Sequence, residues 1–285
     1  MTKTKSGPVA GPSGSLPSGV SLTAVGIAVG RAMETVREDR LFSDPFAQAF
    51  VDAIDEAPVG RMREFAGYVA VRTRYFDDRL LAARVRGCSQ IVLLAAGLDA
   101  RAFRLNWPAG THVFELDLPD LLRFKRRVLE GLGAVPTSDE HAVVEADLRQ
   151  PWYAPLAAAG FDPSRPTAWL VEGLLPYLTR AENDALLAEI ARISVPGSEI
   201  ALDHLNVSSR QRHSTTMAET LVGIDAQWQD AVDDSAPWAW LTAWGWEVVD
   251  SPLIGELAGR YGRGAQLSPE IAAQPSGVVH ARRAM

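Results

Sequence analysis

Apolar and polar positions follow two periods along this chain. Ile91-Val92-Leu93-Leu94 is nearly all apolar and bounded by Gly87 and Gly97, the pattern of a strand buried on both faces of a parallel sheet. It enters a turn of small residues, Ala95-Ala96-Gly97, and then a short helix. Residues 113–117, 142–147, 167–172 and 200–203 read as strands two to five. Between them, residues 118–132, 151–160 and 179–195 carry helical periodicity. Strands alternating with helices predict a parallel, doubly wound α/β sheet with right-handed crossovers. Residues 246–249 and 277–281 complete seven strands, with a helix expected over 253–260.

Three helical patterns precede the first strand. Leu22, Val25 and Val29 recur at spacings of three and four, and Ser21 or Thr23 can cap the helix they form. Pro45 suits the first turn of a second helix, with Phe46, Ala49, Phe50 and Ile54 on one face. Residues 61–85 predict a third. Residues 1–19, rich in Gly, Pro, Ser, Thr and Lys, cannot offset the entropy of ordering and read as a mobile tail. A helical stretch, polar and then dense in tryptophan (Trp228, Trp238, Trp240, Trp244), interrupts the alternation after strand five. The expected organisation is a tail over 1–19 and one domain over 20–285. That domain holds a helical cap at 20–86 and a helical substrate insertion at 206–245.

Composition narrows the class. The chain has 285 residues, 47% of them hydrophobic, enough for one large core. A net charge of -7 and a pI near 5.3 argue against a nucleic-acid partner. No apolar run approaches the length of about 18 residues that a membrane helix needs, and the N-terminus lacks the apolar centre of a signal peptide. The single cysteine, Cys88, excludes an internal disulfide and reads as a packing residue. No His and Cys cluster has metal-ligand spacing. These features predict a cytoplasmic globular protein with no membrane partner; they specify no oligomeric state.

Acidic residues end four successive strand-like runs: Asp99 after the first, then Asp117, Asp147 and Glu172. In a parallel sheet all four fall on one edge, where like charges are costly unless a ligand or basic groups offset them. Ligands collect at that edge. Gly97 permits close backbone approach, and Asp117, 20 residues on, is spaced to accept from both ribose hydroxyls of a nucleotide. AAGLDAR lacks the G-x-G-x-x-G needed around a pyrophosphate, which speaks against a nicotinamide-dependent oxidoreductase. The acids speak against a cofactor-binding protein without catalysis.

These residues carry a resemblance. SLTAVGIAVGRAMET with LFSDPFA, then VRTRYFDD, LLAAGLDARAFRL, FELDLPDLLRFKR, EADLRQPW and LVEGLLPYLT resemble, in order and spacing, the leucine carboxyl methyltransferase family. The likeness is to its bacterial branch of S-adenosylmethionine-dependent O-methyltransferases, and it spans residues 21 to 180. The family usually carries glycine where this chain has Ala95. The resemblance implies a Rossmann-like class I methyltransferase sheet of seven strands, the last antiparallel and the first central, with S-adenosylmethionine as cofactor. It implies that Arg72 pairs with the methionine carboxylate, for which a bidentate fork is apt, with Arg31 assisting. Asp99 would lie near the methionine amine and Asp117 would hold the ribose beside Leu118. Asp147 and Leu148 would hold the adenine, and Glu172 would sit beneath the sulfonium end.

The expected reaction is methyl ester formation on a carboxylate of a small molecule or peptide. The alternative is methylation of a phenolic or alcohol hydroxyl of a secondary metabolite. A carboxylate is ionised at neutral pH and needs no general base; a phenol or alcohol usually does. The candidate bases are His204, on the correct edge after strand five, and Tyr177, one turn past Glu172. His204 and Glu172 could face each other across strands four and five. Trp240 and Trp244 share a helical face and pack the insertion or roof an apolar acceptor pocket.

Overall fold

In the computed structural model, which describes residues 20–54, 65–205, 237–267, 269–272 and 276–284, all seven expected runs are strands. They are β1 (Gln90–Leu94), β2 (His112–Asp117), β3 (Glu140–Glu145), β4 (Thr167–Val171), β5 (Glu199–Leu205), β6 (Trp246–Asp250) and β7 (Ser276–Arg283). They form one sheet in the order β3-β2-β1-β4-β5-β7-β6. β1 to β5 run parallel, and β7 is antiparallel to both β5 and β6. β1 lies inside the sheet between β2 and β4, and all five of its residues are buried. This is the doubly wound, seven-stranded class the pattern predicts.

Period-two alternation along the strands divides the interior into two cores. One face is covered by α1 (Val20–Thr35), α2 (Ala47–Asp52), α3 (Ala66–Val85), α4 (Arg101–Arg104) and α5 (Pro119–Gly131). The other is covered by α6 (Tyr153–Ala158), α7 (Arg180–Arg192) and α8 (Pro237–Ala243), around Trp152, Trp169 and Trp246. α9 (Ile254–Arg260) returns to the first face, and α10 (Pro269–Ala272) follows it.

Local chemistry sets several boundaries. Thr179 caps α7: its hydroxyl accepts the Glu182 N–H at 3.2 Å, and Glu182 accepts the Thr179 N–H at 2.7 Å, a capping box. Asp44 starts the second helix by accepting the N–H groups of Phe46 and Ala47. Thr23 lies inside α1 rather than at its cap. β3 begins and ends two residues earlier than the apolar run indicates, because an edge strand pairs on one side only and tolerates the polar Glu140 and His141. The tail, residues 61–64 of the third helical pattern and most of the insertion, with Trp228, lie outside the described residues.

Candidate functional site

Register builds the site. Leu94, Leu116, Val144, Val171 and Leu202 pair into one row across five strands, and all five face the second core. The next residues on three of those strands, Asp117, Glu172 and Asp203, turn to the opposite face, toward α1 and α3. A cavity opens there, walled by α1, α3, the β1 turn and the ends of β2, β3, β4 and β5. Arg31, Arg72, Gly97, Asp99, Asp117, Leu118, Asp147, Leu148, Glu172 and Tyr177 all line it.

At one end the β1 turn is left-handed. Ala95 has φ 53° and Gly97 φ 49°; the first conformation costs a residue with a side chain about 1–2 kcal/mol. The turn presents the Gly97 N–H to Asp117 Oδ2 at 2.6 Å, while Oδ1 accepts the Leu118 N–H at 2.6 Å. Each oxygen keeps a lone pair for a further donor, the geometry a vicinal diol requires. Burial raises the Asp117 carboxyl, and the two N–H groups act against it. Leu118 and Leu148 supply apolar walls for a flat ring. Asp147 is half-buried and accepts from Arg149 Nη2 at 2.7 Å and Nε at 2.9 Å.

At the other end the acids meet arginines. Glu172 Oε1 lies 3.2 Å from both Arg31 Nη2 and Arg72 Nη2, and Oε2 lies 2.6 Å from Arg101 Nη1. Arg72 Nη1 donates to Asp203 Oδ2 at 2.6 Å, and Asp203 Oδ1 accepts the Gly173 N–H at 2.7 Å. Arg101 also engages Asp99, and Asp77 at 2.6 Å; Arg104 joins Asp77 at 2.7 Å and Asp44 at 3.6 Å. Burial opposes ionisation of Glu172. Arg101, then Arg31 and Arg72, overcome it and hold the carboxyl at about 2. Asp99 is likewise held well below the carboxylate range, by Arg101 and Arg31 against burial. Burial dominates at Asp203 and raises it despite Arg72. The offset that the row of acids demands thus comes from within the chain. Five carboxylates face four guanidiniums, leaving a formal charge of -1. The buried Arg72 Nε has no hydrogen-bond partner among the described residues.

His204 is not brought to this cavity. It follows Asp203 on β5, so alternation turns it to the other face, where its ring packs over Gly277. Burial lowers its pKa to about 4. Glu172 and His204 therefore share an edge and do not face each other. Tyr177 does line the cavity; its hydroxyl donates to Thr23 Oγ1 at 3.0 Å, and burial raises its pKa. Trp240 and Trp244 pack on the second core, away from the cavity, with Trp240 Nε1 donating to Asp184 at 2.7 Å. Arg101, Asp203, Asp77 and Tyr68 escape the sequence reading. The single available signal is Arg101, a cation beside Asp99 in a turn of small residues.

Sheet order and the position of the cavity define a class I methyltransferase fold. Two solved structures share it: a protein of Streptomyces avermitilis (TM-score 0.62, 14% identity, 93% of this chain and 98% of that one) and a provisionally assigned methyltransferase of Thermobifida fusca (TM-score 0.56, 18% identity, 94% and 96%). The chain belongs to the leucine carboxyl methyltransferase family, whose model matches residues 24–191. A Rhodococcus jostii relative, provisionally named an S-adenosyl-L-methionine-dependent methyltransferase, is 45% identical over 91% of this chain and 93% of its own.

Proposed function

We propose that this protein transfers the methyl group of S-adenosylmethionine to an oxygen of a carboxylate on a small molecule or peptide, forming a methyl ester. Family membership and the name of the Rhodococcus relative support the methyltransferase class and the cofactor. The residues fit that cofactor. Asp117 keeps one lone pair on each oxygen for the ribose, with Gly97 giving the close approach. Asp147 can accept from the exocyclic amine of adenine, with Leu118 and Leu148 on its faces. Arg72, whose Nε is unpaired among the described residues, and Arg31 would hold the methionine carboxylate, and Asp99 and Glu172 would offset the ammonium and sulfonium. A network of charge -1 suits a ligand that carries one carboxylate, one ammonium and one sulfonium.

One observation carries the choice of a carboxylate acceptor. Among the described residues lining the cavity, no side chain is poised as a general base. Asp99, Glu172 and Asp203 are paired with arginines, Asp147 with Arg149, and Asp117 with two N–H groups. Tyr177 holds its proton at neutral pH. An acceptor that arrives ionised needs no such base.

When bound, S-adenosylmethionine supplies an already electrophilic methyl group. The chain contributes placement. Glu172 is fixed from three sides by Arg31, Arg72 and Arg101, and α1 and α3 wall the cavity at the carboxyl edge, where they would limit the access of water. The test is turnover of labelled methyl into carboxylic acids as a function of pH. We expect a rate that is flat between about pH 6 and 8, with Tyr177→Phe keeping most of it. Loss of a general base would instead cost on the order of 10²–10⁴-fold. A rate that rises with pH, or that Tyr177→Phe abolishes, would move the reading to a phenol or alcohol.

A further inference from the structure

Tyr68 lies one turn before Arg72 on α3 and lines the same cavity. Arg72 Nη1 donates to its phenolic oxygen at 3.2 Å, and the Arg72 guanidinium sits 5.0 Å from its ring centroid. That contact fixes both ring and oxygen, and it uses the oxygen as acceptor only. The hydroxyl hydrogen of Tyr68 has no acceptor among the described residues. Burial pushes the phenol up to about 12, against the pull of Arg72, so the hydrogen stays in place at neutral pH. A hydroxyl that accepts from a guanidinium is polarised into a stronger donor.

The surroundings place this donor at the arginine end of the cavity, beside Arg72. The diol and ring contacts lie under β1, β2 and β3, at Gly97, Asp117 and Leu148. Tyr68 lies at the opposite end, close enough to Asp203 and Glu172 to feel both charges. The cavity it lines also carries apolar side chains, among them Ile27, Phe65, Val69 and Leu174.

We propose that Tyr68 is the hydrogen-bond donor that anchors the acceptor's carboxylate, within a subsite built for an acid whose neighbouring atoms are an apolar chain or ring. One carboxylate oxygen would accept from Tyr68, leaving the other to take the methyl group. This rests on the carboxylate reading above.

The test uses the full chain saturated with S-adenosylhomocysteine, titrated with octanoate against octanol and with phenylacetate against 2-phenylethanol, for wild type and Tyr68→Phe. Phenylalanine keeps the ring over Arg72 and removes only the hydroxyl. Wild type should bind at least one acid about tenfold more tightly than its alcohol, and Tyr68→Phe should lose most of that preference. Affinity for S-adenosylhomocysteine should stay within about twofold, which a merely structural lesion would not allow. If Tyr68→Phe keeps the preference, or loses cofactor affinity equally, the anchor is overturned and the carboxylate reading stands. If wild type itself shows no preference for either acid, the carboxylate reading falls, and the anchor with it.

Discussion

Arg101→Met tests whether the buried charge network is held from its centre. The arginine side chain is fully buried and bridges Asp77, Asp99 and Glu172. Methionine fills similar length without charge. Asp77 would keep Arg104 at 2.7 Å, and Glu172 would keep Arg31 and Arg72 at 3.2 Å. Among the described residues, Asp99 would keep one cation, Arg31 at 3.7 Å, beside the backbone N–H of residue 101 at 2.7 Å. Breaking a buried pair typically costs 3–5 kcal/mol, because a charge is left without compensation. Holding Glu172 at about 2, against the ordinary 4.5, corresponds to about 3 kcal/mol at neutral pH, and Arg101 is the largest attractive contribution to it. We expect a loss of about 3 kcal/mol at pH 7 in urea unfolding followed by circular dichroism. The pH dependence has a definite sign. Carboxyls with depressed folded pKa values contribute stability above their unfolded values, and that contribution fades as pH falls toward the folded ones. Without Arg101 burial would raise Asp99, which then protonates on the way down. The gap between wild type and variant should therefore narrow from pH 7 to pH 4. A loss below about 1 kcal/mol, or one independent of pH, would show that Arg101 does not hold the network.

Ala95→Gly removes the left-handed penalty of about 1–2 kcal/mol and returns about 0.4–1 kcal/mol in unfolded-chain entropy. The melting temperature should rise by roughly 1–4 °C; a fall would show that the turn is unstrained with alanine. Arg72→Lys keeps the charge and loses the planar fork. Calorimetry should find weaker binding of S-adenosylmethionine, while an analogue lacking the carboxylate binds variant and wild type about equally. A variant that binds intact cofactor normally would remove Arg72 from the carboxylate.

The central strands were legible because their apolar runs bury both faces: residues 91–94 mark β1 to within one residue. Two carboxyl ends were legible too: Asp117 closes β2 and Glu172 directly follows β4. The face of each residue was harder. His204 was placed on the right edge and the wrong side, because the run ending at Asp203 gives no sign of whether β5 continues. It does continue, to Leu205, and alternation turns the imidazole away. The partners of the acids were least legible. Arg101 reaches Glu172 across 71 residues and Arg72 reaches Asp203 across 131, separations set by topology that no local spacing encodes. Thr23 reads as a cap from residue type alone, yet it meets Tyr177 across 154 residues.

Methyl transfer to a carboxylate oxygen is decided by supplying S-adenosylmethionine with a labelled methyl group to the purified chain and a set of carboxylic acids, then treating the labelled product with mild alkali. The expected product is one that alkali hydrolyses, releasing the label as methanol and returning the acid. A label that survives alkali, as an ether would, contradicts transfer to a carboxylate.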